Sequence, residues 1–224
     1  MSEPRPVEAA AAHAEVEGLR REGDRKLPLG EKARRTRNRL LLAAYEQFSE
    51  TGYRGTKVGD ISERAGVSLG TFYQYFHSRD DVMSSLVAEY VRGSIDLPPW
   101  RFSHGDHGIR RLLHHYVENY AVTAAFQGVW EEATHVDEVQ ANVRRDLSSF
   151  MTERIEDEFV RAQRAGKLVA DVDARELARA LTAMVDRYCY LTYVFDPPET
   201  PVPVEECVNT LAFVWSSALG LEPS

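Results

Sequence analysis

The segment SERAGVSLGTFYQYF, residues 62–76, keeps a helical apolar spacing on both sides of a Gly-Val-Ser interruption. Ile61 and Ala65 stand four apart before it, and Phe72 and Phe76 stand four apart after it, so each pair shares one helix face. Gly66 can take the left-handed conformation that ends a helix, and the Ser68 hydroxyl can accept from the orphan amides that open the next. The pattern predicts helix, tight turn, helix.

The rest of the chain extends this pattern. From about Glu31 to Glu50, Leu40, Leu41, Ala44, Tyr45 and Phe48 keep helical spacing, while Arg34, Arg35, Arg37 and Arg39 crowd the start. Gly52 is expected to end that helix. A short helix from Lys57 to Ala65 follows, then the one restarting at Ser68, then a fourth from Arg79 to Arg92 that carries Val82, Leu86, Tyr90 and Val91 and stops before Pro98 and Pro99. Further helices are expected over residues 107–122, 123–133, 136–165, 173–197 and 202–219. Gly166 is a stop, Asp173 with Glu176 has capping-box spacing, and Pro197, Pro198 and Pro201 separate the last two helices. Strand signals and internal repeats are absent. The expectation is an all-α fold of about nine helices. Residues 1–27 are expected to form a mobile arm, 28–78 a three-helix helix-turn-helix domain, and 79–224, with the connecting helix, a larger helical domain.

At 224 residues with 43% hydrophobic content, the chain can bury a real core. It has no apolar run of about 18 residues and no basic-then-apolar start, so neither a membrane span nor a signal peptide is expected, and the location expected is cytoplasmic. Cys189 and Cys207 sit in apolar helical patterns without a second ligand cluster and read as buried thiols. The net charge of −8 would argue against nucleic acid if it were evenly spread. It is not: Arg25–Arg79 holds 11 Lys/Arg against 5 Asp/Glu, whereas Ile95–Ser224 holds 12 against 21. A basic module precedes an acidic one, as a phosphate-facing end and a solvated body require.

Around the helix that restarts at Ser68, Phe72 and Phe76 point toward Ile61, Ala65 and the long first helix, while Gly70, Thr71 and Gln74 point largely away. That outward face is small, polar and uncharged. Thr and Gln can hydrogen-bond base edges, Gly permits close approach, and Leu69 can meet a thymine methyl in the major groove. Tyr73 flanks the face within reach of a phosphate.

AAYEQFSETGYRGTKVGDISERAGVSLGTFYQYFHSRDDV, residues 43–82, resembles the DNA-binding domain of the TetR family of transcriptional repressors. Its TGYRGT, ISERAGVSLGTFYQYF and SRDDV segments follow the family pattern in order and spacing. The resemblance implies that the helix from Ser68 to Tyr75 reads the major groove, with Ser68, Leu69, Gly70, Thr71 and Gln74 near bases. It places Tyr73, Tyr75, Thr56 and Arg79 at phosphates. Three positions depart from the pattern. Lys57 stands where the family often has a capping Thr, Gly59 in the first turn of its helix costs about 1 kcal/mol against Ala, and Arg79 replaces a common Lys.

The acidic C-terminal part is rich in aromatics: Tyr116, Tyr120, Phe126, Trp130, Phe150, Tyr188, Tyr190, Tyr193 and Trp215. Each is either core or the wall of a ligand cavity, and Trp130 is among the candidates for the second role. ELARALTAMVDRYCYLTYV and CVNTLAFVWSSALG resemble the last two helices of the EthR-type branch of the same family. That resemblance implies a long apolar tunnel, with Tyr116, Tyr120, Met151, Thr182, Val185, Tyr190 and Trp215 nearest the matching positions. The expected assembly is a homodimer paired through the last two helices, so residues 79–224 are expected to serve as a ligand-binding and dimerisation domain, and a charge at Leu211 or Phe213 is expected to weaken pairing.

Other chemistries find less support. His104, Asp106 and His107, followed by His114 and His115, could suggest a metal. However, consecutive histidines point about 100° apart on a helix, and the first group lies in a Gly-containing loop. Glu131, Glu132, Asp137 and Glu138 read as a solvated face. No Gly-rich phosphate loop or nucleophile motif is present, so neither a cofactor nor an enzymatic activity is expected. The expected function is a repressor released from palindromic double-stranded DNA by a small apolar or amphiphilic effector, with no membrane partner. The alternative is a helical small-molecule-binding protein or enzyme that keeps the helix-turn-helix only as scaffold.

Overall fold

The computed structural model describes residues 30–95, 100–168 and 171–221. The N-terminal arm expected over residues 1–27 and the stop at Pro98 and Pro99 lie outside them. Nine α-helices and no strand occur among the described residues: α1 Glu31–Gly55, α2 Val58–Arg64, α3 Leu69–Phe72, α4 Arg79–Ile95, α5 Gly105–Val122, α6 Ala124–Thr134, α7 Glu138–Arg164, α8 Ala174–Tyr190 and α9 Val204–Leu219. A 3₁₀ turn at Phe102–His104 leads into α5, and α8 ends in a π-helical stretch, Leu191–Phe195. No helix among the described residues is long and apolar enough to cross a membrane.

The expected punctuation recurs as backbone geometry. Gly52 breaks α1 at φ 72°, and Gly66 ends α2 at φ 63°. Ser68 caps α3 by accepting from the Thr71 amide at 3.1 Å. Asp173 caps α8 by accepting from the Glu176 amide at 2.9 Å. Lys57, at the cap position of α2, makes no side-chain cap bond. The helix expected from Ser68 is shorter than the pattern predicts. Regular α-helix covers Leu69–Phe72 alone, and the chain then tightens, with the Gln74 amide donating to Thr71 O and the Tyr75 amide to Phe72 O.

The chain divides into two compact units: the described residues up to Gly93 with Gly128–Leu147, and Ser94–Gln127 with the described residues from Ser148. The connecting helix α4, up to Gly93, belongs to the first unit. In the first unit Leu40, Ala44, Phe48, Ile61, Phe72, Phe76, Val82, Met83 and Trp130 are buried. In the second unit, Trp100, Phe102, Ile109, Tyr120, Phe159, Val185, Leu211 and Trp215 belong to one continuous core. Its α5 and α9 form the main helix pair, joined by a polar chain that runs from the buried Asp106 and Ser216 out to the exposed Asn209. Asp106 accepts from Ser216 Oγ and from Arg110 Nε, both at 2.6 Å, and Arg110 donates onward to Asn209 at 2.6 Å.

Candidate nucleic-acid interface

Phe72 and Phe76 fix the Ser68–Tyr75 segment from inside. Both are buried, their rings lie 5.8 Å apart, and the Arg37 guanidinium from α1 sits 5.5 Å from the Phe76 ring centre. With those two held, the other side of the segment faces outward. Leu69 is 49% and Tyr73 51% exposed. Ser68, Gly70 and Gln74 are exposed, and Thr71 and Tyr75 are half-buried. Two exposed apolar side chains on so small a helix bring no folding benefit there, and they flank a polar strip suited to base edges. The Thr71 hydroxyl lies 2.9 Å from Ser68 Oγ, so the two hydroxyls orient each other on that strip.

Thr56 and Arg79 differ from the rest. Thr56 is buried, and its hydroxyl donates to Gly52 O at 2.8 Å. Arg79 lies 4.3 Å over the Tyr53 ring and donates to Tyr53 O at 3.0 Å. Both side chains organise the turn between α1 and α2. Tyr53 itself donates to Asp80 at 2.6 Å, and its phenol is pushed well above the ordinary tyrosine range, first by burial and then by that carboxylate. It remains a protonated donor at any ordinary pH.

Helix α1 carries exposed positive charge, part of it paired, as Arg35 is with Glu31. Arg34, Arg35 and Arg39 are exposed on α1. Arg64, on α2, binds both oxygens of Glu50 and lies 3.7 Å from Glu46, and its hydrogen bond holds the Glu50 carboxyl below the usual range.

A helix-turn-helix with this surface is matched by known proteins along most of the chain. Residues 40–86 match the model of bacterial regulatory proteins of the tetR family, and residues 106–219, half of the chain, match that of the C-terminal domain of the transcriptional regulator EthR. The chain belongs to the TetR family. It is a DNA-binding transcriptional regulator, and the reading of its helix-turn-helix as mere scaffold is not favoured. The HTH-type transcriptional regulator YdgC of Bacillus subtilis is 27% identical over 192 residues, covering 80% of this chain and 91% of that one. EthR of Mycobacterium tuberculosis is 25% identical over 189 residues, covering 80% and 85%. Among solved structures, a TerR/AcrR-family transcriptional regulator from Aquifex aeolicus superposes with a TM-score of 0.63 at 19% identity, covering 81% of this chain and 98% of that one. That likeness shares the fold.

Of the residues that the EthR-type resemblance singled out, Tyr120, Val185 and Trp215 lie in the core of the second unit, and Tyr116 and Tyr190 pack against it. Thr182 is half-buried and meets Thr152 at 3.1 Å, and Met151 is also half-buried. Tyr116 donates to Asp186 at 2.9 Å. Trp215 is only 2% exposed, and its indole N–H has no hydrogen-bond partner among the described residues. Trp130 lies in the first unit, edge-on to Tyr90 and 5.0 Å below the Arg144 guanidinium. Cys189 and Cys207 are buried free thiols, and burial pushes Cys189 up, away from reactivity. Among the described residues no three potential metal ligands come together. His104 accepts from the Arg101 amide, and His114 lies 3.0 Å from Glu205.

Of the acidic run, Glu138 is exposed, as a solvated face requires, whereas Glu131, Glu132 and Asp137 are half-buried. Glu131 lies 3.5 Å from Arg144, Asp137 accepts from the Val139 amide at 2.9 Å, and Glu132 binds the turn after α1. That last contact spans 79 residues of sequence, and nothing in the local pattern announces it.

Proposed function

We propose that this regulator is a repressor. It binds a near-palindromic operator as a homodimer in the cytoplasm, and it leaves the operator when an apolar or amphiphilic small molecule enters the second unit. The observation that carries the DNA reading is the division of α3 and its following turn, with Phe72 and Phe76 buried and Leu69, Gly70, Tyr73 and Gln74 outside. Ser68, Thr71 and Tyr75 complete the strip. Thr56 and Arg79 act behind it, by holding the turn that leads into α2.

The dimer reading rests on uncovered apolar residues. Phe213 is 62% exposed on α9, Val214 stands beside it, and Leu191 and Phe195 are exposed after α8. Leu211 faces the core instead, so Phe213 is the position at which a charge tests pairing. A twofold dimer would meet half-sites about one DNA turn apart.

The effector reading rests on the aromatic interior around Tyr116, Tyr120, Val185, Tyr190 and Trp215. Trp215 offers an unused donor there, which suits a mainly apolar molecule carrying a hydrogen-bond acceptor. A ligand can release DNA only by preferring a conformation that binds DNA poorly, and the coupling acts in both directions.

Selection of duplexes from a random pool, followed by affinity measurement across a salt series, tests the DNA reading. A symmetric site with steep salt dependence is expected. Full affinity for an isolated half-site by a monomer would overturn it. For the effector, a panel of apolar compounds should contain members that raise thermal stability and lower operator affinity together.

A further inference from the structure

Two consecutive residues after the break in α1, Tyr53 and Arg54, have both their amides and their carbonyls held by side chains. The Tyr53 amide donates to Glu132 Oε2 at 2.8 Å and the Arg54 amide to Glu132 Oε1 at 3.1 Å, so one carboxylate spans both N–H groups. The carbonyls of the same two residues accept from Arg79, at 3.0 and 3.4 Å. Gly52, at φ 72°, turns the chain so that successive amides converge, the arrangement that makes an anion-binding concavity of backbone. A Cβ at Gly52 would lie 2.8 Å from Glu132 Oε2, so the carboxylate occupies the space that the glycine leaves open. Glu132 lies on α6, outside the three helices of the helix-turn-helix, yet within the same compact unit.

We infer that Glu132 is a positioning residue for operator binding, acting through the Gly52–Thr56 turn. This turn sets where α2 begins, and α2 packs on both α1 and α3. The amides it holds are the orphans left where α1 breaks, and a charge-assisted pair of bonds fixes them more tightly than water would. The inference rests on the family's DNA-binding role and needs no effector. It also opposes simple electrostatics. Removing a negative charge from a DNA-binding unit should strengthen attraction to phosphates, whereas loss of positioning should weaken recognition of the specific site.

The test uses the full-length protein with the duplex selected on the wild type and with a random-sequence duplex. Variants Glu132→Ala and Glu132→Gln are compared with Glu131→Ala, whose parent side chain faces Arg144. Glu132→Ala should lower affinity for the selected duplex about tenfold, the effect of losing charge-assisted hydrogen bonds. Affinity for the random duplex should stay level or rise. Glu132→Gln keeps one acceptor oxygen, so it should fall between wild type and Glu132→Ala, and Glu131→Ala should match wild type. Amide exchange at Tyr53 and Arg54 should quicken in Glu132→Ala, with the Phe72 and Phe76 amides unaffected.

Unchanged or increased affinity for the selected duplex, or unchanged exchange at the two amides, would overturn the inference. So would loss of helical content in both Glu132 variants together with loss of all DNA binding, since Glu132 would then serve folding alone.

Discussion

In the first unit, aromatic side chains lie on two sides of one short segment: Phe72 and Phe76 are buried, and Tyr73 stands half in solvent. In the second, Tyr120 and Trp215 lie within a single continuous core, and the polar groups there serve one another, as Asp106 serves Arg110 and Ser216. The head offers its chemistry on a surface that a rigid interior holds out. On the proposed effector reading, the body keeps its chemistry inside, where a ligand would have to replace contacts between the protein's own side chains. An outward-facing function can be read from helix phase, whereas an inward-facing one depends on how helices far apart in sequence meet.

The sharpest way to break this contrast is to hollow each core. Phe72→Ala and Trp215→Ala should each cost about 3 to 5 kcal/mol of stability, read from chemical unfolding. Their functional consequences should diverge. Phe72→Ala should abolish operator binding, while Trp215→Ala should leave ligand-free operator binding near wild type and blunt the effector response. Equal loss of operator binding in both variants would erase the distinction between head and body.

Next in size is the polar chain between α5 and α9. Asp106→Ala strands the Ser216 hydroxyl and frees Arg110, and should cost about 2 to 3 kcal/mol of stability. Retention of full stability in thermal unfolding would show the chain to be dispensable.

On the outer side of the head, Tyr73→Phe should cost at most about 1 kcal/mol of binding, and equally on every duplex, because a phosphate contact carries no base identity. Loss confined to one base position would instead make Tyr73 a base reader. The smallest effect concerns Glu50, whose carboxyl is held below its usual range by the hydrogen bond from Arg64. Its small contribution is present above the ordinary glutamate range and fades as pH falls through the lowered value. Glu50→Gln should therefore differ slightly from wild type in melting temperature near neutrality and converge with it in acid.

The head was legible because its determinants are local. Gly66 and Ser68 mark a turn, Phe72 and Phe76 share a phase, and the outward residues follow from 100° per residue. The caps at Ser68 and Asp173 were equally local. The early end of α3 after Phe72 was not, since Gln74 and Tyr75 continue a helical pattern while their amides shift to the tighter bonding. The clamp by Glu132 lay beyond reach because its partners are 78 and 79 residues away. Leu211 and Phe213 stand about 200° apart around one helix, so phase alone sets them on opposite sides, but which side is buried depends on where α5 packs on α9. The placement of Trp130 likewise depends on α6 contributing its later residues to the first unit.

The central claim is that the outward strip of α3 and its following turn reads DNA sequence. It is tested most directly by selecting duplexes from one random pool with wild type and with Gln74→Ala in parallel. Wild type should enrich a twofold-symmetric site. The variant should lose discrimination, worth about 1 to 3 kcal/mol, at one base pair repeated symmetrically in each half-site, with the salt dependence of binding unchanged. Identical preferences in the two selections, or no enriched sequence with wild type, would contradict the account.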